Sequence, residues 1–340
     1  MDDAEESLGR PTILLSMMDG LRDYAFTADH LDRLRAVGDL LDDEPVSDFG
    51  DERSAGLLAR AEVLVGHWGC PTLTAEVLER ATALRLFAYA AGTVKWQVTD
   101  AVWERDLRVT SAAAANAVPV AEYTVAVILL ANKGVFSYAA RERDPDAAVP
   151  LDPTSIGNVG KRVGLVGASH VGRLVIDLLR PFDLRIAVAD PYLDEAGAAG
   201  LGVQKMELDD LCRWCDLLSL HAPDIESTKG MIGAGQLAAL ADGVTIVNTA
   251  RGALIDADAL LAELTSARLS AVLDVTDPEP LPADSPLRRL PNVVLTPHVA
   301  GAVGGEMSRL ADLAVEEVER YARGEPARCP VGRADLDRIA

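Results

Sequence analysis

Short apolar runs alternate with amphipathic segments along most of the chain. Apolar runs of about four to eight residues predict buried strands, and segments with apolar positions every three or four residues predict helices. This alternation is typical of βαβ units with parallel sheets. The predicted strands are 12–16, 63–66, 86–89, 163–166, 186–189, 217–221, 245–248, 271–275 and 293–296. Predicted helices between them include 72–82, 171–179 and 256–264.

The alternation is interrupted in the middle of the chain. A long amphipathic segment, 118–140, leads into RERDPDAAVPLDPTSIGNVG, whose Pro, Asp and Gly residues predict a surface loop. A second long helix is predicted at 306–322, after the last strand. We therefore expect the chain to leave a first domain through one helix, build a second domain, and return through the other. The expected boundaries are 1–115 with 302–340 for the first domain and 116–301 for the second.

The composition excludes several classes of protein. With 49% hydrophobic and 25% charged residues in 340, the chain is an ordinary globular protein rather than a disordered, collagen-like or coiled-coil one. Its 53 acidic and 32 basic residues give a net charge of −21, which repels a phosphate backbone, so we expect no nucleic-acid partner. The longest apolar stretch, 118–131, is shorter than the roughly 20 residues of a membrane-spanning helix, so we expect no membrane partner.

The N-terminal segment and the cysteines bear on the compartment. MDDAEESLGR is acidic and has no apolar run, unlike a signal peptide, which predicts a cytoplasmic location. Four cysteines are too few for a disulfide framework. Cys212 and Cys215 form a CxxC pair, but no second pair or nearby His completes a zinc site. We expect these thiols to pack inside the fold, and we expect no metal.

A glycine-rich turn follows the predicted strand 163–166. Gly167 and Gly172 begin and end a G-x-G-x-x-G-like turn in which Ser169 takes the second glycine position, and a helix follows. The glycines permit a tight turn and close helix–strand packing, and the helix N-terminus can bind a pyrophosphate. Asp190 ends the next strand, where a carboxylate accepts hydrogen bonds from ribose, and no arginine follows it. These residues predict binding of NAD rather than NADP, with Ser169 as a departure from the usual glycine.

Polar side chains follow three later strands, in the segments NTARG, DVTDPEP and LTPHVAG. The carboxyl ends of strands are where doubly wound sheets bind ligands. The guanidinium of Arg251 suits bidentate recognition of a carboxylate. His298 can exchange a proton near neutral pH, and Glu279 can orient its ring and stabilise its protonated form. We therefore expect these three residues to act together on an acidic substrate.

These motifs resemble those of the D-isomer-specific 2-hydroxyacid dehydrogenase family, over about residues 61–322. The resemblance also includes the segments LHAPDIESTKGMIG and VAEYTVAVILL. It implies an α/β fold of two doubly wound parallel-sheet domains, with a Rossmann-type NAD-binding domain inserted in a discontinuous, flavodoxin-like substrate domain. It further implies an NAD-dependent oxidoreductase that transfers hydride between nicotinamide and a 2-keto acid or (R)-2-hydroxy acid, and a homodimer.

The resemblance also assigns roles to individual residues. It implies that Arg251 anchors the substrate carboxylate and polarises the carbonyl, that His298 is the acid/base, and that Glu279 is its partner. Asp274 is implied to lie beside the nicotinamide carboxamide. The implied cofactor-binding residues are Gly167, Ser169, His170, Val171, Gly172, Asp190, His221, Ala222, Pro223, Thr249, Ala250 and Asp274.

Substrate contacts are implied for two segments of the first domain. Gly92 and Thr93 lie in AAGTVKWQ, where the family commonly has a Gly-x-Gly turn followed by Asp-Asn. His67 and Trp68 lie in GHWGCPT, where relatives contact the far end of the substrate; packing within the loop is the alternative for both. A Trp and a His there favour a substrate larger than glyoxylate, with a ring or several hydroxyls. Tyr123 stands where the helix motif often has His.

Other functions within this fold group remain open at this point. Formate dehydrogenase relatives pair the active-site histidine with glutamine, whereas this chain has Glu279. Phosphite dehydrogenase relatives have a lysine in the substrate turn, where this chain has Gly92. An NAD(H)-sensing, corepressor-like binding protein is a third alternative, against which the presence of Arg251, Glu279 and His298 argues.

Overall fold

In a computed structural model of the chain, residues 9–336 are described. The strands are β1 (Thr12–Ser16), β2 (Asp39–Leu40), β3 (Val63–Gly66), β4 (Leu86–Tyr89), β5 (Arg108–Ser111), β6 (Arg162–Val166), β7 (Arg185–Ala189), β8 (Gln204–Lys205), β9 (Leu217–Leu220), β10 (Thr245–Asn248), β11 (Ser270–Leu273) and β12 (Val293–Leu295). The helices are α1 (Leu21–Ala25), α2 (Ala28–Val37), α3 (Glu52–Leu58), α4 (Ala75–Arg80), α5 (Asp100–Glu104), α6 (Ala113–Asn132), α7 (Val135–Arg143), α8 (His170–Leu179), α9 (Glu195–Leu201), α10 (Leu208–Trp214), α11 (Ala234–Ala239), α12 (Ala257–Thr265) and α13 (Met307–Ala322).

The chain divides into two compact units, and the first comprises residues 9–116 and 302–336. Its sheet is fully parallel, in the order β2-β1-β3-β4-β5. This is the order of flavodoxin-like doubly wound folds. Strands β3 and β4 are buried along their whole length, as expected for parallel strands with both faces covered. The strand order reverses between β1 and β3, which places the switch point of this sheet at their carboxyl ends.

The second unit comprises residues 117–301. Its seven-stranded parallel sheet has the order β12-β11-β10-β9-β6-β7-β8. Counted from β6, the first six strands have the Rossmann order 3-2-1-4-5-6, and β12 extends the edge. The switch point lies between β6 and β9, which pair in parallel. The expected α/β class with two doubly wound parallel sheets is confirmed.

Local sequence explains where the structure differs from the expected elements. The segment 118–140 forms two helices instead of one, because Gly134 adopts φ 68° between α6 and α7. The helix expected at 72–82 begins only at Ala75, since the Thr74 hydroxyl accepts a hydrogen bond from the Val77 N–H at 3.3 Å and caps it. The sequence also did not indicate β2, β5 and β8, which are all edge strands.

Helix α6 is longer than the apolar segment from which we expected no membrane-spanning helix. It spans 20 residues and is long and apolar enough, by length and composition, to cross a membrane. The expectation that the apolar segment is too short was therefore wrong. In the structure, 44% of its most apolar window is buried, and Ile128 packs in the core against β6 and α8. A core helix of a globular protein passes the same test.

The CxxC pair lies at the end of α10, and both thiols are buried and free. Burial raises the pKa of Cys212 to about 11 and that of Cys215 to about 12. Both side chains pack in the core beneath the second sheet, so they are structural thiols, as expected. Between residues 9 and 336, no group of three or more His, Cys, Asp or Glu side chains is arranged to hold a metal. The acidic segment 1–8, on which the expected location rests, lies outside the described residues.

Candidate active site

The glycine-rich turn lies at the switch point of the second sheet. Gly167 has φ +102°, and a Cβ there would lie 2.7 Å from the backbone nitrogen of Ala222, on the loop after β9. A Cβ on Gly172 would overlap the carbonyl oxygen of Gly167. Neither position therefore accepts a side chain without a shift of the backbone. The two glycines hold the start of α8 and the loop after β9 close together.

The start of α8 fits a bound pyrophosphate. Ser169 caps this helix, and its Oγ accepts a hydrogen bond from the Gly172 N–H at 3.3 Å. The N–H groups of His170 and Val171, in the first turn, have no intrahelical acceptor and point out of the helix end. Backbone N–H groups at such an end bind phosphate oxygens. Ser169 thus stands at the usual position of the second glycine and caps the helix. The free N–H groups at the helix N-terminus remain able to bind an anion.

Asp190 joins the turn to the end of β7. Its Oδ2 accepts a hydrogen bond from the Ala168 N–H, and its Oδ1 accepts one from the Tyr192 N–H, both at 2.7 Å. A carboxylate oxygen can accept more than one bond, so capacity for ribose hydroxyls remains. Arg173 of α8 was not among the expected site residues; its Nε donates to the Ala168 carbonyl at 2.9 Å and brings a cation to this turn.

The loops after β9 and β10 carry the remaining cofactor candidates. His221 is buried, its Nε2 lies 3.0 Å from Ser219 Oγ, and burial lowers its pKa to about 4. Ala222 and Pro223 follow it at the switch point. In the next loop, the side chain of Asn248 accepts from the Ala250 N–H at 3.0 Å and donates to the Arg251 carbonyl at 2.8 Å. These bonds shape the NTARG turn, which presents Thr249 and Ala250 at the carboxyl end of the sheet.

Arg251 lies at the end of the NTARG turn, next to the loop after β11. A Cβ on Gly252 would overlap the backbone of Thr276, so only glycine allows the loops after β10 and β11 to approach this closely. Burial lowers the pKa of Arg251, and the charges of Asp224 and Glu279 act in the opposite direction. An arginine keeps its charge in proteins. The result is a largely buried guanidinium suited to binding a carboxylate in two-pronged geometry.

The histidine loop after β12 is folded around the buried carboxylate of Asp274. Its Oδ1 accepts bonds from Thr296 Oγ1 at 2.6 Å and from the Val299 N–H at 2.9 Å, and its Oδ2 accepts from the Ala300 N–H at 2.9 Å. The His298 N–H donates to the Asp274 carbonyl at 2.9 Å. His298 has φ 56°, a left-handed conformation that costs a non-glycine residue about 1 kcal/mol or more. The bonds to Asp274 hold it there.

His298 and Glu279 form an acid–base pair. The Nδ1 of His298 lies 2.6 Å from Oε1 of Glu279, and both side chains are about half exposed. A carboxylate can only accept here, so Nδ1 carries a hydrogen and Nε2 is the nitrogen that can exchange a proton. The structure thus brings His298 and Glu279 together, with Arg251 and Asp274 on neighbouring loops of the same unit.

Sequence reasoning missed a chain of hydroxyl groups that reaches this loop from α6. The Thr296 hydroxyl donates to Asp274, so at 2.9 Å it accepts from the Tyr123 hydroxyl. Burial raises the pKa of Tyr123. In the same way, the Thr124 hydroxyl donates to the Val120 carbonyl and accepts from Thr249 at 2.9 Å. The signal in the sequence is the Tyr-Thr pair, which with Glu122 interrupts the apolar middle of this helix.

The substrate candidates of the first unit differ in exposure. His67 is fully buried, whereas Trp68 beside it is 40% exposed. Of this pair, only Trp68 presents a surface to a ligand, and the structure gives no support for a hydrogen bond from His67 to a polar substrate. In the loop after β4, the Gly92 carbonyl accepts from the Ser111 hydroxyl, and Thr93 Oγ1 accepts from the Lys95 N–H at 3.3 Å.

Two doubly wound parallel sheets, one with a glycine-rich turn at its switch point, define a dinucleotide-binding α/β protein. The model of the D-isomer specific 2-hydroxyacid dehydrogenase NAD-binding domain matches residues 125–300. A glyoxylate reductase of Korarchaeum cryptofilum is 33% identical over 258 residues, which cover 74% of this chain and 77% of the relative. The chain therefore belongs to the D-isomer specific 2-hydroxyacid dehydrogenase family, and its second unit is the NAD-binding domain.

Other relatives extend the comparison. The D-3-phosphoglycerate dehydrogenase of Mycobacterium tuberculosis is 35% identical over 256 residues, which cover 75% of this chain and 48% of the relative. The chain spans about half the length of these first curated relatives. The crystal structure of the TT0316 protein from Thermus thermophilus is 29% identical, with a TM-score of 0.74, and the match covers 94% of this chain and 100% of the other.

Proposed function

We propose that the chain is an NAD-dependent dehydrogenase that interconverts a 2-keto acid and an (R)-2-hydroxy acid. The observation that carries this proposal is the 2.6 Å contact between His298 Nδ1 and Glu279 Oε1, in the unit that holds the NAD-binding turn. A protein that only binds NAD(H) does not require an oriented acid–base pair at the carboxyl ends of these strands. Relatives named glyoxylate reductase and D-3-phosphoglycerate dehydrogenase act on acids of this kind, which supports the proposal.

Each polar residue has a proposed step in keto-acid reduction. Arg251 binds the substrate carboxylate through two parallel hydrogen bonds and draws electron density from the carbonyl. His298 donates the proton on Nε2 to the carbonyl oxygen, while Glu279 holds Nδ1 and stabilises the charged ring. When bound, NADH would supply the hydride to the carbonyl carbon and leave as NAD⁺. The backbone turn at Gly92 and Thr93 is proposed as a further substrate contact.

The proposed cofactor contacts divide by loop. The turn after β6 and the start of α8 hold the pyrophosphate, and Asp190 binds the ribose. The loops after β9, β10 and β11 contact the nicotinamide half. Asp274, which accepts bonds from three groups of the histidine loop, is proposed to position that loop and to lie beside the nicotinamide carboxamide. The proposed contacts are Gly167, Ser169, His170, Val171, Gly172, Asp190, His221, Ala222, Pro223, Thr249, Ala250 and Asp274.

A homodimer and a cytoplasmic location complete the proposal. Helix α7 has no buried residue, and it exposes Val135 and Tyr138, while α6 exposes Leu130 near its C-terminal end. Large apolar side chains exposed on two consecutive helices favour a second copy as the covering partner. Light scattering after size exclusion is expected to give twice the chain mass of 36.1 kDa.

The test is NADH oxidation with a panel of 2-keto acids that includes glyoxylate, pyruvate, phenylpyruvate and 3-phosphohydroxypyruvate. At least one is expected to reach a kcat/KM of about 10⁴ M⁻¹s⁻¹ or more, the usual lower range for enzymes. If NADH binds but no keto acid is reduced, the chain is a binding protein and the proposal is wrong.

A further inference from the structure

Helix α6 carries two adjacent hydroxyl side chains, Tyr123 and Thr124, and each contacts a different loop of the second unit. The Tyr123 hydroxyl lies 2.9 Å from Oγ1 of Thr296, at the start of the histidine loop. The Thr124 hydroxyl lies 2.9 Å from Oγ1 of Thr249, in the NTARG turn after β10. We call the first contact the histidine link and the second the arginine link. Two neighbouring residues of one helix thus contact both loops that carry the candidate chemistry.

The hydrogen bonds of the histidine link have one direction. The Asp274 side chain is 2% exposed, and its carboxylate can only accept, so the hydrogen of the Thr296 hydroxyl points to Asp274 Oδ1 at 2.6 Å. A hydroxyl has one hydrogen, so Thr296 accepts from Tyr123. The same carboxylate accepts the N–H groups of Val299 and Ala300, both at 2.9 Å. Tyr123 therefore orients the hydroxyl that joins the start of the histidine loop to this carboxylate.

The arginine link positions the turn rather than the helix. Thr124 is fully buried, and its hydroxyl donates to the Val120 carbonyl at 2.7 Å, a bond that a threonine within a helix can make alone. Thr249 is 7% exposed, and Thr124 is the acceptor for its hydroxyl among the described residues. The Thr249 side chain, two residues before Arg251, is thus held by its bond to α6.

Stability alone does not require hydroxyl groups at these two positions. Phenylalanine and valine have nearly the same shapes as Tyr123 and Thr124, and nearby positions of α6 such as Val127 and Ile128 are apolar and buried. A buried hydroxyl is tolerated when it is hydrogen-bonded, but the net contribution of such a bond to stability is small. What the hydroxyl groups add is a directed contact between α6 and each loop.

We infer that Tyr123 and Thr124 are positioning residues, each for one half of the site. Tyr123 holds the loop of the acid/base His298, and Thr124 holds the loop of the carboxylate-binding Arg251. Adjacent positions of α6 thus set where the proton donor and the carboxylate anchor lie. This inference rests on the proposed function, which assigns roles to His298 and Arg251 and none to α6.

The two links predict different kinetic effects. A displaced proton donor lowers kcat, because proton transfer takes place in the transition state. A displaced carboxylate anchor weakens binding of the substrate before reaction and therefore raises its KM. Loss of the histidine link is thus expected to lower kcat, and loss of the arginine link to raise the KM of the keto acid.

The first experiment measures kcat and KM for the best keto acid of the panel with saturating NADH. Tyr123→Phe is expected to lower kcat by about fivefold or more with KM little changed, and Thr124→Val to raise KM by about fivefold or more with kcat little changed. The matched controls make the same substitutions elsewhere in the second unit. Tyr138→Phe, on the exposed face of α7, and Thr245→Val, at the opposite end of β10 from the turn, are expected to change neither value.

Conservative variants separate the hydroxyl groups from packing. Thr124→Ser and Thr296→Ser keep the hydroxyl and remove a methyl group, so both are expected to stay close to the wild type. Thr296→Val removes the histidine link and is expected to lower kcat at least as much as Tyr123→Phe does. Combining Tyr123→Phe with Thr296→Val is expected to add no further loss, because both remove the same link. Serine variants as impaired as the valine variants would overturn the inference.

A measurement without substrate tests the same assignment. In the protein without NADH, Tyr123→Phe is expected to speed hydrogen exchange at the amides of Val299 and Ala300 several-fold and to leave that of Ala250, in the NTARG turn, unchanged. Thr124→Val is expected to do the reverse. Urea unfolding of both variants is expected to show nearly the stability of the wild type, so that the changes in exchange are local.

The outcomes separate this inference from the proposed function. If Tyr123→Phe and Thr124→Val change kcat and KM in the same proportion, or change neither, the two residues do not position separate loops and the inference is wrong. If the wild type reduces no keto acid, the proposed function fails, and exchange alone decides the inference. Separate effects on the two loops then support it, and a common effect or none overturns it.

Discussion

The two sheets have a switch point each, and both switch points have a buried histidine directly after a central strand. His67 follows β3 in the first unit, and His221 follows β9 in the second. Burial lowers the pKa of both rings to about 4, and each ring has one nitrogen without a partner among the described residues. The surroundings differ. Gly167 brings bare backbone to the second switch point, whereas Gly69 brings Met18 and Trp68 to the first.

We propose that this difference fits one topological position to two kinds of ligand. A phosphate is bound by backbone N–H groups, which any sequence can supply if glycines allow the approach. A variable side chain is bound by other side chains, which must change with the substrate. We therefore expect changes in the second unit to affect all substrates alike and changes in the first to affect their ranking. The following predictions test that division, from the largest expected effect to the smallest.

The largest effect is expected from His298→Ala. Loss of a positioned proton donor lowers kcat by roughly 10²–10⁴-fold, and the loss is expected to be equal for every keto acid in the panel. Steady-state kinetics with saturating NADH measures it. Glu279→Gln is the companion variant: without the carboxylate that orients the ring and stabilises its charged form, kcat is expected to fall for every keto acid alike. Losses that depend on the substrate would contradict the division between the units.

Gly172→Ala is expected to weaken NADH binding by about 100-fold, or about 2.7 kcal/mol. The added Cβ overlaps the Gly167 carbonyl, so the turn must shift. Titration by NADH fluorescence measures the change. Gly200→Ala, on α9, is the control, since a Cβ there meets nothing within 4 Å. A Gly172→Ala variant with native circular dichroism and native NADH affinity would show that the turn does not hold the cofactor.

Both buried histidines are expected to make stability depend on pH. Between pH 6.5 and 4 the unfolded chain binds more protons at His67 and His221 than the folded protein does, because their folded pKa is about 4. The free energy of unfolding therefore falls as pH decreases through this range and is unaffected above it. Each ring contributes up to about 1.4 kcal/mol per pH unit.

The variants His67→Phe and His221→Phe test this in the two units separately. Urea unfolding at pH 7.5 and pH 5.0 is expected to show a smaller loss of stability in each variant than in the wild type, by about 1–2 kcal/mol. If only one variant differs from the wild type, the two histidines are not equivalent, and the histidine whose variant behaves like the wild type does not contribute to the pH dependence.

The smallest effect is expected from Asp190→Ala. The carboxylate repels the 2′-phosphate of NADPH, so its loss is expected to narrow the preference for NADH by about tenfold. Arg173 of α8 donates to the Ala168 carbonyl and places a cation beside this turn, which is expected to reduce the preference of the wild type. The ratio of kcat/KM values for the two cofactors measures the effect. Equal efficiency of the wild type with both would contradict the predicted preference.

The sequence predicted those parts of the structure in which the backbone geometry or complete burial permits only certain residue types. Gly167 and Gly172 are required by backbone contacts, so the sequence predicted the turn after β6, as it predicted the buried central strands of four or five residues. An edge strand of two residues, such as β8, is too short to show an apolar run or an alternation of apolar and polar positions. The link from Tyr123 through Thr296 to Asp274 joins residues that are distant in sequence. Nor could the sequence decide that His67 is buried and Trp68 exposed, because a loop has no period that orients its side chains.

The break at Gly134 has a consequence for hydrogen exchange. It separates α6, whose side chains are partly buried, from α7, in which no residue is buried. A nine-residue helix that lacks extensive packing is marginally stable alone, so the amides of α7 should exchange with solvent through local opening while those of α6 remain protected. If a second copy covers α7, its exchange should slow as protein concentration rises, and that of α9, on another part of the second unit, should not.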